Sequence, residues 1–201
     1  MKNKLKLRTL LSLTLLLFFL PFLRTCSDQS LDKLIPVPTE ITQGSETVET
    51  VINDTIKIEV LSKQESKKLL KNALEERKVN IQKAKKEYTY NFYSLLLKIF
   101  ESGKKEFNTS IFFDLSFYPN LTLVLFFIST ITMLILSFFE KITFIKILGI
   151  LNLFLLITSI ILYYACEVIE DVNQIKIGFY LIFINTFLIV LLSGKMRRNR
   201  L

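Results

Sequence analysis

Three stretches of the chain contain no charged residue, and each is long enough to cross a lipid bilayer. They are Asn120–Phe139, Ile147–Cys166 and Ile177–Gly194, with 18 to 20 residues each. A helix rises about 1.5 Å per residue, so roughly 20 apolar residues cross a hydrocarbon core about 30 Å thick. The sequence therefore predicts an all-α integral membrane protein.

A fourth apolar run, Thr9–Leu23, is shorter and follows a basic leader at residues 1–8. We interpret it as a first transmembrane helix over residues 9–24, which gives a four-transmembrane-helix bundle. A basic stretch followed by about 7–15 apolar residues is also typical of a secretory signal peptide. Pro21–Arg24 lacks the small residues that signal cleavage prefers, and this favours retention of the segment.

Two other fates of the leader stay open. Cleavage after Ser27 would use Thr25 and Ser27 as the small residues and would leave three spans. Lipid attachment at Cys26 is the other, because Leu23–Cys26 is similar to a bacterial lipobox in which Arg24 and Thr25 replace the usual small residues.

The positive charge of the chain lies at its two ends. The formal net charge is +8, and eight cations account for it: Lys2, Lys4, Lys6, Arg8, Lys195, Arg197, Arg198 and Arg200. Short cationic flanks orient membrane segments and contact anionic lipid head groups. Nucleic-acid binding would need a basic patch within a recognisable module, so we expect the lipid bilayer as a partner and no nucleic acid.

Lys and Arg concentrate on the cytoplasmic side of membrane proteins, which predicts that both termini are cytoplasmic. In chain order we predict a cytoplasmic leader (1–8), a first span (9–24), an extracytoplasmic segment (25–119), a second span (120–139), a cytoplasmic turn (140–146), a third span (147–166), an extracytoplasmic turn (167–174), a fourth span (175–194) and a cytoplasmic tail (195–201). The Lys-, Asn-, Ile- and Phe-rich composition indicates an AT-rich genome and favours the cell membrane of a bacterium.

The extracytoplasmic segment contains an amphipathic pattern that predicts one long helix over residues 63–101. Ser62 and Glu65 have the spacing of a capping box at its start, and Ser102-Gly103 ends it. Apolar residues at three- and four-residue steps form a stripe on this helix: Leu70, Leu74, Ile81, Ala84, Tyr88, Phe92, Leu95 and Ile99.

We favour a coiled-coil or bundle contact of this stripe with another membrane or envelope protein or with a second copy of the chain. One alternative is a helix that lies in the membrane interface. The other is a pair of helices packed within the same domain. Ahead of the helix, Thr47–Ile52 and Thr55–Val60 around Asn53-Asp54 predict a small β-hairpin, with a disordered tether as the alternative.

Cys26 and Cys166 fall at the outer ends of the first and third predicted spans. An oxidising compartment would permit a disulfide between them, which would fasten the root of the outer segment to the bundle. Two unconnected thiols are the default interpretation, and acylation of Cys26 is the remaining option.

Inside the membrane the polar side chains are amides and hydroxyls. Asn152 and Asn185 both fall near the midplane of their spans, so we predict that they hydrogen-bond each other and hold helices together. The alternative to this structural role is a polar path for a solute along the helix interfaces. Coupled transporters usually carry charged residues within the membrane, and the three charge-free runs have none.

The sequence offers little chemistry. It contains no His, and it carries no nucleophile triad, metal-binding motif or phosphate-binding glycine loop. We therefore predict no catalytic residue, no cofactor and no metal, and a non-enzymatic role as a scaffold, accessory subunit or protective protein acting through the outer helix. A channel or transporter component is the alternative, and a membrane enzyme comes third.

Overall fold

The chain forms two compact units. Unit 1 contains Met1–Ser27 and Tyr88–Leu201, and unit 2 contains Asp28–Glu87. The computed structural model describes residues 2–35, 37, 47–52, 55–60, 63–103 and 117–198. Unit 2 is thus an insertion within the sequence of unit 1.

Three helices of unit 1 are long and apolar enough to cross a membrane. They are α5 (Phe117–Phe138), α6 (Ile142–Ala165) and α7 (Ile177–Arg198). The three charge-free runs therefore form helices, and their length and composition support membrane insertion. Glu140, in the turn between α5 and α6, has a left-handed backbone with φ of 57°, which lets the chain reverse within a few residues.

The first predicted span does not form a helix of spanning length. The first helix, α1 (Lys2–Leu17), has 16 residues and includes the basic leader. It ends ahead of Pro21, which lacks an N–H and whose ring disfavours a helical conformation in the residue before it. The chain continues as strand β1 (Pro21–Arg24), which is buried after its first residue. The predicted helix over residues 9–24 is therefore wrong beyond Leu17.

The single helix predicted over residues 63–101 is interrupted. In its place the structure has α3 (Lys63–Glu87), β4 (Thr89–Asn91) and α4 (Phe92–Gly103). β4 pairs antiparallel with β1, and Thr25 N–H donates to Tyr88 O at 3.0 Å. Strand pairing supplies these residues with backbone hydrogen bonds outside a helix, so a long-range contact overrides the local periodicity.

Asn91 begins α4 as its N-cap residue. Asn91 Oδ1 accepts a hydrogen bond from Ser94 N–H at 2.7 Å, and Ser94 Oγ donates to Asn91 O at 2.9 Å. The side-chain oxygen thereby satisfies one of the amides that a helix start leaves unbonded. The apolar stripe continues in phase through Tyr88 and Phe92, which is why periodicity alone does not reveal the break.

Unit 2 combines a short helix, a β-hairpin and α3. The short helix α2 (Asp28–Leu34) packs against α3. β2 (Thr47–Ile52) and β3 (Thr55–Val60) pair antiparallel, which confirms the predicted hairpin. Its Asn53-Asp54 turn lies outside the described residues.

The helices of unit 1 run antiparallel to their neighbours. Tyr163 OH near the end of α6 donates to Asn120 Oδ1 near the start of α5, at 2.9 Å. At the other end Lys4 of α1 pairs with Glu140. The start of α1, the turn between α5 and α6, and the last turn of α7 therefore lie at one end of unit 1. We call it the basic end, because Lys4, Arg8 and Lys195 lie there.

An aromatic cluster lies away from the basic end and joins β1 and α4 to the bundle. Phe92 stacks on Phe18 with ring centroids 4.2 Å apart. It also meets Phe22 and Phe126 edge-on at 5.4 Å and 5.7 Å. All four rings are fully buried. Edge-on and stacked ring pairs add to the free energy gained from burial, so the cluster holds the extended segment against α5.

Candidate functional site

The two intramembrane asparagines contact different neighbouring helices. Asn152 on α6 donates through Nδ2 to Thr130 Oγ1 on α5, at 3.2 Å. Asn185 on α7 donates to Leu10 O at 2.9 Å and to Thr14 Oγ1 at 2.8 Å, both on α1. No hydrogen bond joins the two amides within these described helices, so the predicted contact between them is wrong.

The order of the helices explains this difference. At Gly149 of α6 an added Cβ would come within 2.8 Å of Val190 Cγ2 on α7, so these helices pack closely at Gly149. Asn152 faces α5 instead, and Asn185 faces α1. The depth of each amide along its span can be predicted from the sequence. The neighbouring helix that covers each face cannot.

The two intramembrane asparagines are buried between helices. Asn152 and Asn185 are 0% and 4% exposed. Three buried oxygens on α5 and α6 make no hydrogen bond with the described residues: Ser129 Oγ, Asn152 Oδ1 and Ser159 Oγ. Small polar residues let helices approach closely, and interhelical hydrogen bonds contribute about 0.6–2 kcal/mol. Helix packing is therefore the role that this geometry supports.

A fully buried glutamine, Gln174, ties the connection between α6 and α7 to β1. Its Nε2 donates to Arg24 O at 3.1 Å and to Val168 O at 2.9 Å. Its Oε1 accepts from Glu170 N–H at 2.7 Å and from Asp171 N–H at 2.8 Å. Both donors and both lone pairs of the amide are thus used. Gln174 ends the predicted outer turn, and this role was not predicted. The signal that was missed is the spacing of Asp171 and Gln174, which is that of a capping box.

Replacing Gln174 with Met should destabilise unit 1 by about 2–4 kcal/mol, because it leaves buried backbone groups without their partner. Met has a similar length, so packing changes little. The free energy of unfolding in a mild detergent, followed by circular dichroism, measures the effect. Asn173→Met is the matched control because Asn173 is exposed. Equal stability of the two variants would contradict the role of Gln174.

The two cysteines lie at this same end of unit 1, and no disulfide joins them in the structure. Each thiol is half-buried. Burial raises the pKa of the Cys26 thiol, Arg24 partly offsets this, and Glu170 raises the pKa further. A raised pKa lowers the thiolate fraction at neutral pH, and the thiolate is the reactive species.

The predicted partner stripe is divided between the two units. Phe92 and Leu95 are 0% and 6% exposed inside unit 1. They are core residues, so their assignment to a partner contact is wrong. Tyr88 is half-buried in the same unit, and the side chain of Ile99 lies outside the described residues.

The remaining members of the stripe lie on α3 in unit 2. Leu70, Ile81 and Ala84 are half-buried, and Leu74 is 39% exposed. They share one face of the helix at three- and four-residue steps.

The packing of α2 falls on the second half of α3. Arg77 Nε donates to Ile35 O at 3.1 Å, and Arg77 Nη2 lies 3.2 Å from Asp32 Oδ1. Lys85 Nζ lies 2.9 Å from Asp28 Oδ1. These contacts leave the face around Leu74, nearly one turn before Arg77, as the more exposed part of the apolar stripe.

Within the described ranges, no three Cys, Asp or Glu side chains gather as a metal ion would require. No family model matches this chain, and comparisons with curated proteins and with solved structures likewise give no match. The function must therefore be argued from the surfaces and contacts described above.

Proposed function

We propose that this protein is a non-enzymatic membrane scaffold, accessory subunit or protective protein whose α3 helix binds another protein or a second copy of the chain. The observation that carries the proposal is the apolar face of α3 around Leu74, which is 39% exposed. Leu70 lies one turn earlier on the same face. An exposed apolar stripe on a helix loses contact with water only when another surface packs on it.

The charges beside this stripe support a helical contact. Lys71, Glu75 and Lys78 are exposed along one flank of α3. An apolar seam with charged residues beside it is the pattern by which coiled coils bury side chains and select partners. By contrast, Asn152 and Asn185 hydrogen-bond neighbouring helices, which supports a structural role for the spanning helices.

The distribution of charge supports an orientation for the chain. The basic end of unit 1 carries cations from α1, α6 and the end of α7, and this end would face the cytoplasm. The opposite end carries Glu167, Glu170 and Asp171, and it also contains Ser27 and Tyr88, the residues of unit 1 that flank residues 28–87 in the sequence. We therefore propose that both termini are cytoplasmic and that α3 lies outside the cell membrane, in a bacterium.

The aromatic cluster supports retention of the leader. Phe18, Phe22 and Leu23 are fully buried. Removal of residues 1–27 would expose the face of Phe92 that stacks on Phe18, and burying one such ring contributes about 1.5–3 kcal/mol. With the leader retained, α1 and β1 remain part of unit 1 beside the three spanning helices.

A photo-crosslinking amino acid at position 71 tests the proposal in cells. Lys71 is exposed and stands beside Leu74, so irradiation should yield an adduct with one defined protein or a dimer of this chain, identified by mass spectrometry. Position 83 is the matched control, because Lys83 is exposed on the opposite face of α3. It should yield no such adduct.

A pair of substitutions sharpens the same experiment. Leu74→Glu should abolish the adduct from position 71, because a charge would enter the apolar contact. Val79→Glu should leave it unchanged, since Val79 is 49% exposed on the other side of the helix. Equal adducts from positions 71 and 83 would overturn the proposal. Ion flux through reconstituted protein that is lost in Asn152→Leu or Asn185→Leu would overturn it in favour of a channel.

A further inference from the structure

A groove on the surface of unit 1 runs between α1 and α7. Its volume is about 550 Å³, and four residues of each helix line it. Five of the eight are leucines, and the groove also contains Thr9 and two lysines, Lys6 and Lys195. Sites of roughly 300–1,000 Å³ hold small molecules, so the groove has room for part of a lipid.

The two kinds of lining residue are separated along the groove. Lys6 and Lys195 belong to the basic end, where the start of α1 meets the last turn of α7. Leu191 and Leu188 lie one and two turns before Lys195 on α7, toward the middle of the span, and they are 53% and 44% exposed. The groove is therefore cationic at the membrane boundary and apolar toward the membrane centre.

Two described cations near the groove, Lys4 and Arg8, are engaged with other groups. Lys4 pairs with Glu140. Arg8 donates to Ser137 O at 3.3 Å and lies 4.9 Å from the centre of the Phe138 ring. Neither groove lysine makes an ion pair with the residues that the structure describes, and both side chains are exposed. Their charges therefore remain available to an anion at this depth.

We infer that this groove binds one anionic phospholipid, with its phosphate between Lys6 and Lys195 and an acyl chain along the leucines. The separation of charge and apolar surface matches that of an amphiphile whose head group is at the membrane boundary. Each Lys near an anionic membrane surface contributes measurable attraction. Two lysines at the mouth would repel the same patch of a second copy, which disfavours a symmetric protein contact here.

Photoactivatable phosphatidylglycerol in proteoliposomes tests this inference, with photoactivatable phosphatidylcholine of identical acyl chains as the comparison. The full chain is irradiated in each, and mass spectrometry locates the labelled residues. The expected result is labelling of Leu188–Leu192 that is about tenfold stronger with phosphatidylglycerol. Equal labelling by the two lipids would overturn the inference, as would crosslinks between two copies at this groove.

Substitutions distinguish binding of the lipid in the groove from its general attraction to the positive charges at the basic end. The double variant Lys6→Gln and Lys195→Gln should lose the preference for phosphatidylglycerol. Lys141→Gln is the matched control, because Lys141 is an exposed cation at the same end that does not line the groove. If Lys141→Gln lowers the labelling as much as the double variant does, the lipid is held only by surface charge and the inference fails.

A groove-filling variant tests the apolar half independently. Leu191→Trp keeps both lysines and places a larger side chain in the groove, so labelling by both lipids should fall several-fold at Leu188–Leu192. Leu191 is 53% exposed, so the substitution should not disturb the core. Unchanged labelling in this variant would show that the acyl chain lies elsewhere and would overturn the inference.

Discussion

Gly178→Ala should destabilise unit 1 by about 2–3 kcal/mol. A Cβ at this position, in the first turn of α7, would lie 2.5 Å from Pro21 O and 3.0 Å from Leu20 O. Both are backbone atoms that cannot rotate aside. α7 would have to move away from β1, and the hydrogen bond of 3.0 Å from Lys176 N–H to Phe22 O would lengthen. The midpoint of thermal unfolding in a mild detergent measures the loss.

Gly194→Ala provides the matched control for this prediction. Gly194 lies on the same helix, and its added Cβ would make an ordinary contact of 3.8 Å with Lys146 Cε. Ala is favoured over Gly in a helix by about 1 kcal/mol, so this variant should be as stable as the original chain or slightly more stable. If both variants unfolded at the same temperature, α7 would not pack on the backbone of β1.

The membrane helices could be predicted from the sequence because a single physical requirement determines them. A span must be apolar over about 20 residues, and the three charge-free runs meet this requirement without reference to any partner. The hairpin could be predicted for a similar reason. Strict alternation in Ile56–Val60 next to a turn signal at Asn53-Asp54 is a local pattern.

The other features of the fold depend on contacts between residues that are far apart in sequence. The apolar run Thr9–Leu23 ends its helix at Leu17 because β1 finds a strand partner in β4, more than sixty residues later. The same pairing interrupts the long amphipathic helix. Pro21 and Asn91 were the available local signals, the first for a helix end and the second for a helix start.

The hydrogen-bond partners of the candidate polar residues likewise depend on contacts between distant parts of the sequence. Asn152 and Asn185 were correctly identified as polar residues within spans, but their partners, Thr130 and Thr14, follow from the order in which the helices pack. Asp171 and Gln174 have the spacing of a capping box, which could have indicated the hydrogen bond from Asp171 N–H to Gln174 Oε1. The other three hydrogen bonds of Gln174 carried no sequence signal, because they are to backbone groups, whatever the side chains of those residues are.

Phe92→Ala should have the largest effect on unit 1, with a loss of about 3–5 kcal/mol in the free energy of unfolding. Phe92 is fully buried and lies between the rings of Phe18, Phe22 and Phe126. Truncation removes these ring contacts and leaves a cavity where α1, β1, α4 and α5 meet. Chemical denaturation in a mild detergent, followed by circular dichroism, measures the loss.

Leu97→Ala, on the same helix α4, separates this effect from a change in helix propensity. Leu97 is 62% exposed, so its truncation should change stability by less than about 0.5 kcal/mol. The comparison also tests the break at Thr89–Asn91. In one continuous helix over residues 63–101, Phe92 would continue the partner stripe and would be no more sensitive than Leu74. A large loss at Phe92 together with a small loss at Leu74→Ala is therefore expected if Phe92 of α4 lies in the core of unit 1 and the helix is interrupted at Thr89–Asn91.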